Sequence, residues 1–159
     1  MAFNKNIAFV NNNKGDKMKT FKLPYCLNKL VNAAAIFVCG AGGYGLIEIL
    51  WRGHTHWSMC LAGGICFSLF GRIWNTVKNL PKIYIPLIGS FIITSIELIF
   101  GIIFNIIFKK QVWDYSNLPF NFLGQICVLF STLWGLLSIV VMPLAGRLRL
   151  KLTGSAVIK

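Results

Sequence analysis

Long apolar runs alternate with short polar gaps along most of the chain. The runs are Val31 to Trp51, Ser58 to Val77, Ile83 to Phe108 and Leu118 to Gly146. Each reaches the roughly 20 residues that carry a helix across a hydrocarbon core of about 30 Å. The pattern predicts an all-α membrane protein with four transmembrane helices, at about 31–51, 58–77, 83–108 and 118–146. The third and fourth runs are long enough to tilt or to extend into the interface. The second carries Arg72 near one end, where a long side chain can snorkel. This places a transmembrane domain at 31–146, preceded by a basic segment at 1–30 and followed by a basic tail at 147–159. Within the first segment, Met18 to Asn32 mixes Lys with Phe21, Leu23, Leu27 and Leu30, as an amphipathic stretch on a membrane surface would. Residues 1–16, rich in Asn and Lys, read as a solvated tail. The chain shows no internal repeat.

Composition narrows the class. Of 159 residues, 56% are hydrophobic and 13% charged, against about 25% charged in soluble domains. This excludes a disordered chain, a coiled coil and an ordinary soluble enzyme. The net charge of +12 points away from nucleic acid, because the cations flank apolar runs instead of forming a folded basic face. Lys5, Lys14, Lys17, Lys19, Lys22 and Lys29 lie before the first run. Arg72, Lys78 and Lys82 lie around the second gap, and Arg147, Arg149, Lys151 and Lys159 follow the last run. Only Arg52, Lys109 and Lys110 fall in the other two gaps. By the positive-inside rule both termini are cytoplasmic, in a multi-pass protein of the cytoplasmic membrane. Trp51, Trp57, Trp113 and Tyr115 would ring the outer interface and Trp74 and Tyr84 the inner one, with mid-span Trp134 left to packing. The long basic start and Glu48 in the first run do not fit a secretory signal. The five cysteines, Cys26, Cys39, Cys60, Cys66 and Cys127, lack metal-ligand spacing and read as small apolar fillers.

Polar residues inside the runs carry the candidate chemistry. Lipid gives helices no hydrophobic push toward each other, so small residues that permit close approach mark contact faces. Such seams are Ala41 and Gly45 with Glu48, then Gly64, Ser68 and Gly71, then Ser131, Gly135 and Ser138. A flexible first helix around Cys39 to Gly45, lining a path, is the alternative use of its glycines. In the third run Ser90, Thr94, Glu97, Gly101 and Asn105 recur at steps of 4, 3, 4 and 4, which holds them on one helical stripe. A carboxyl at mid-membrane costs about 2.5–3.5 kcal/mol on insertion scales. Glu97 must therefore be neutral, paired or wet inside the bundle. It serves either as a bond between helices or as a proton or substrate site.

A second polar group gathers toward the outer end: Glu48, Arg52, His54, His56 and Trp57, and across the bundle Trp113, Asp114, Tyr115 and Asn121. Glu48 and Arg52 stand in the favourable i, i+4 order. The H-x-H turn is weak as a metal signal, and neither a metal nor a cofactor is expected. No P-loop, serine elbow or HExxH pattern occurs.

Those residues bring a family into view. GYGLIEILWRGHTHWSM, a Gly-rich second run, IELIFGIIFN and VWDYSNLPFNFLGQIC together resemble the small integral membrane proteins labelled putative ABC-transporter type IV, to which vertebrate four-span proteins of unknown role are similar. The resemblance covers about Gly42 to Trp134. By similarity Glu48, His54, Trp57, Glu97, Gly101, Trp113, Asp114, Tyr115 and Asn121 match motif positions. The family label implies a permease-like part and supplies no mechanism.

Three functions fit these features. The leading one is a permease-like or transport-associated subunit with a polar axis from Glu97 to the Glu48, His54 and Asp114 group. A single four-helix bundle leaves little central space, so self-association or a partner membrane subunit would enlarge the path. The second is an intramembrane enzyme at the outer interface, with His54 or Asp114 as base and Tyr115 or Arg52 orienting a lipid or polyprenyl head group. The third is a non-catalytic scaffold whose polar groups only join helices.

Overall fold

A computed structural model describes residues 25–153. Helices α1 (Tyr25–Arg52), α2 (Trp57–Val77), α3 (Tyr84–Phe100) and α4 (Val128–Thr153) form the bundle. A π-helical segment at Gly101–Ile107 continues α3, and a two-stranded hairpin, β1 (Asn121–Phe122) with β2 (Ile126–Cys127), precedes α4. Among the described residues four helical stretches are long and apolar enough to cross a membrane: Cys26–Arg52, Trp57–Val77, Tyr84–Ile107 and Val128–Thr153. Residues 1–24 of the anticipated basic segment and 154–159 of the tail lie outside the described residues, while 147–153 of the expected tail form the end of α4.

Two boundaries differ from the sequence reading. The first helix already begins at Tyr25, since the Lys-bearing stretch after Pro24 has no helix breaker. The fourth begins at Val128, not Leu118, and runs on to Thr153. Residues 118–127 are as apolar as a span, but Phe120, Leu123 and Gly124 adopt φ of 53°, 53° and 67°. Left-handed backbone of this kind cannot continue a helix. It folds the segment back onto the bundle.

The helix ends follow local chemistry. Gly53, at φ 75°, ends α1 and donates its N–H to Ile49 O at 2.8 Å, as a left-handed C-terminal glycine does. His56 caps α2, its Nδ1 accepting from Ser58 N–H at 3.3 Å and pairing with Ser58 Oγ at 2.7 Å. Pro86 lies in the first turn of α3, where a missing N–H is tolerated.

α2 and α4 are the middle pair: α1 packs on α2, and α3 on α4, while α1 meets α4 sparsely. A Cβ on Gly40 would strike the Phe67 Cβ and lie 2.9 Å from Gly63 O, and one on Gly63 would strike Tyr44. The α1–α2 crossing therefore depends on these two glycines. Gly89 makes room for Ser138 at the α3–α4 crossing, and Gly146 for Trp74 on α2. Along its length the bundle divides in two. The half holding the α2–α3 turn packs Ile36, Phe67, Phe70, Val77, Met142 and Ala145 as an apolar core. The half holding the 108–127 loop is joined by hydrogen bonds.

Candidate functional site

The α3 stripe faces α4 and the loop. Ser90 donates to Ser131 O at 2.6 Å and Thr94 to Ser131 Oγ at 2.9 Å. One turn further, Glu97 is 4% exposed, and both its oxygens are engaged. Tyr115 Oη donates to Oε1 at 2.9 Å, and Trp134 Nε1 donates to Oε2 at 3.0 Å. Tyr115 stacks on Phe130 at 4.6 Å and 15°. Phe130 leads to Trp134, and Trp134 to Tyr44 on α1, at 6.3 and 6.1 Å between ring centres. Burial, then the adjacent Glu97 carboxylate, push the Tyr115 phenol up from its ordinary value, so its hydroxyl stays a donor.

Above Glu97 the stripe becomes a clasp. Gly101 has no side chain, and Gln125 occupies the space a Cβ would need. Asn105, in the π segment, donates to Trp113 O at 2.9 Å and Gln125 Oε1 at 2.8 Å, and accepts from Val112 N–H at 2.7 Å. Trp113 is buried and donates its indole N–H to Gln125 O at 2.9 Å. A π turn widens the helix locally and is frequent at functional sites.

The outer residues divide: Glu48, Arg52, His54 and His56 line one small polar hollow with Lys110 and Val112, whereas Asp114 and Asn121 bond within the loop's own turns. Glu48, 5% exposed, is held by Arg52 Nη1 at 2.9 Å and by the Thr55 hydroxyl, while Arg52 Nη2 reaches Val112 O at 2.8 Å. This ties α1 to the loop. Asp114 is exposed, and its Oδ1 accepts from the Ser116 hydroxyl and N–H at 2.6 and 2.8 Å. Those two bonds hold its carboxyl below the usual carboxylate range. Asn121 closes the hairpin turn, donating to Leu118 O at 2.8 Å and accepting from Gly124 N–H at 3.1 Å. His54 is exposed on a small polar hollow with Arg52 and Lys110. His56 is a helix cap, and Trp57 is exposed with its ring edge-to-face on Phe104 at 5.3 Å.

Several roles thereby change. Trp113 and Tyr115 do not ring an interface, since one is buried and the other turns inward to Glu97. Trp134 does more than pack, because it donates to that carboxyl. Tyr44 and Gln125 were not anticipated, and Ser131, expected only as a small seam residue, accepts bonds from Ser90 and Thr94. A mid-span indole and an amide beside a loop were the available signals. All five cysteines are unbonded to each other, with Cys66 and Cys127 buried. Among the described residues no three His, Cys, Asp or Glu gather as metal ligands.

Glu97 also forms part of a cavity wall. A cavity of about 390 Å³ runs between the four helices, with Glu97, Tyr44 and Trp134 toward one end and Phe70 and Leu148 toward the other. Its size falls within the roughly 300–1,000 Å³ of small-molecule sites. Its lining includes the exposed Cys39, Gly43 and Ile47 of α1 and Leu144 of α4, so it reaches the bundle surface at those two helices.

The family model described as Putative ABC-transporter type IV matches residues 29–155. No curated protein and no solved structure matches the chain significantly. With four apolar helices and a family match over most of its length, this is a multi-pass membrane protein that belongs to the putative ABC-transporter type IV family.

Proposed function

We infer that the chain is a permease-like, transport-associated subunit of the cytoplasmic membrane, with both termini in the cytoplasm and Glu97 as its working group. One observation carries this reading: a buried carboxyl forms part of the wall of a cavity shared by all four helices. A carboxyl serving only to join α3 to α4 and the loop has no need of a cavity beside it. Ionisable groups at membrane depth that border a cavity are where substrates and protons bind. The orientation rests on the Lys and Arg excess before α1, around the α2–α3 turn and in the last turns of α4. An enzyme at the outer interface is the second reading, and the hollow that Glu48, Arg52, His54 and His56 line together is the observation that favours it.

Proteoliposomes on a solid-supported membrane test the role of Glu97. A pH step should displace charge in wild-type vesicles and not in Glu97→Gln vesicles of equal protein density. Identical traces from the two would reject the reading. Cysteines placed at positions 14 and 155 test the orientation: both should react with an impermeant maleimide only from the cytoplasmic side.

A further inference from the structure

The cavity has a chemistry of its own. Among the described residues lining it there is no Lys, Arg or His. Its wall is aliphatic and aromatic except near Glu97, Tyr44 and Trp134 and at two cysteines. From Trp134 to Leu148 it follows α4 for about 21 Å at 1.5 Å per residue. It is therefore a long apolar slot with a polar head that reaches the bundle surface at α1 and α4.

The head end has unused hydrogen-bonding capacity. A carboxylate offers about four acceptor positions, and among the described residues Glu97 receives two protein donors. Among the described residues the Tyr44 hydroxyl makes no protein hydrogen bond, although it borders the same cavity. A phosphate or carboxylate head would face Glu97 with no cation to offset it. An ammonium head has three donors and no acceptor, so it pairs with Glu97 only while the carboxyl is ionised and offers nothing to a neutral carboxyl or to the Tyr44 hydroxyl proton. A hydroxyl both donates and accepts. It meets Glu97 in either protonation state and can pair with Tyr44 as well.

We propose that the cavity binds a single-chain, uncharged lipid with a hydroxyl head, of the long-chain or isoprenoid alcohol class. Its hydroxyl lies at Glu97 and Tyr44 and its chain runs along α4 toward Leu148. This deepens the reading above by naming the ligand class of the same carboxyl, and its test is a binding measurement independent of charge movement.

The structure supplies a plug and a control. Gly43 lines the cavity, and a Cβ there meets nothing within 4 Å. Gly42 is equally open and does not line it. The full chain in phosphatidylcholine nanodiscs is photolabelled with a hexadecanol bearing a diazirine on its chain, and the sites are mapped by mass spectrometry. Labels should fall on Cys66, Phe67 and Phe70, which are buried from the surrounding lipid. Gly43→Leu should reduce them about tenfold and Gly42→Leu should leave them unchanged. Hexadecanol should compete about tenfold better than hexadecyl methyl ether, the expected loss for one hydrogen bond. Equal competition by the ether, labels that survive Gly43→Leu, or labels confined to outward residues such as Phe91 would each overturn the proposal. If labelling follows these expectations while Glu97→Gln vesicles keep their charge displacement, the ligand site stands and the permease reading falls.

Discussion

Replacing Tyr115 by Phe isolates one bond to the buried carboxyl. The ring stacks on Phe130 at 4.6 Å and 15°, and Phe preserves that stack, so the change removes only the hydroxyl 2.9 Å from Glu97 Oε1. A hydrogen bond to a charged acceptor contributes roughly 1.5–3 kcal/mol in soluble proteins. Between membrane helices the measured average is about 0.6 and the maximum about 1.7 kcal/mol, because the unfolded chain in lipid finds other partners. Glu97 is 4% exposed, and Oε1 has no second protein donor among the described residues. The coupling should therefore lie near the upper end, about 1–2 kcal/mol. A double-mutant cycle with Glu97→Met, which keeps chain length and removes the acceptor, separates this term from packing. Reversible unfolding in mixed detergent and SDS micelles, followed by circular dichroism, gives the four stabilities. A coupling within about 0.5 kcal/mol of zero would mean that the phenol does not hold the carboxyl.

Other expectations follow from the same contacts. Gly40→Ala should destabilise the chain by about 1–3 kcal/mol through overpacking on Phe67 and Gly63, whereas Gly42→Ala, in open space, should be neutral or slightly stabilising in the same unfolding assay. Asn105→Leu breaks three hydrogen bonds of roughly 0.5–1.5 kcal/mol each, and hydrogen exchange over 112–127 should speed up at least about tenfold while α2 stays protected. Asp114 has a lowered carboxyl pKa. Its contribution to loop order is thus present above the ordinary Asp value near pH 3.9 and is lost as pH falls through the lower folded value. Protection of Ser116 and Gly124 amides, corrected for intrinsic exchange, should drop below that pH in the wild type and stay level in Asp114→Asn.

The sequence announces the membrane helices because length and hydropathy alone decide insertion. The 4, 3, 4, 4 spacing of Ser90 to Asn105 likewise shows which face of α3 turns inward. The late start of α4 escapes that logic. Leu118, Phe120, Phe122 and Leu123 satisfy a hydropathy window, and only the left-handed backbone at Phe120 and Leu123, held by Asn121 and Gly124, turns them into a hairpin. The partners of Glu97 are hidden for a related reason. Tyr115 reaches it because the loop folds back across the end of α3, and no periodicity encodes that return. His54, His56 and Asp114 show the converse. Proximity along the sequence and shared titratable chemistry grouped them, and the two histidines do share a hollow with Glu48 and Arg52, yet His56 also caps a helix and Asp114 anchors a local turn of its own.

A nitroxide scan of α3 in nanodiscs, one cysteine at a time from 91 to 101 in a background without native cysteines, asks directly whether the carboxyl turns inward. Oxygen, which concentrates in lipid, should relax labels at Phe91 and Ile99 strongly, since these side chains are 74% and 54% exposed on the bundle surface. Labels at 94, 97 and 101 should be shielded from oxygen and from a water-soluble nickel chelate alike. Oxygen accessibility at position 97 equal to that at 91 would contradict a bundle that turns its carboxyl to a shared interior.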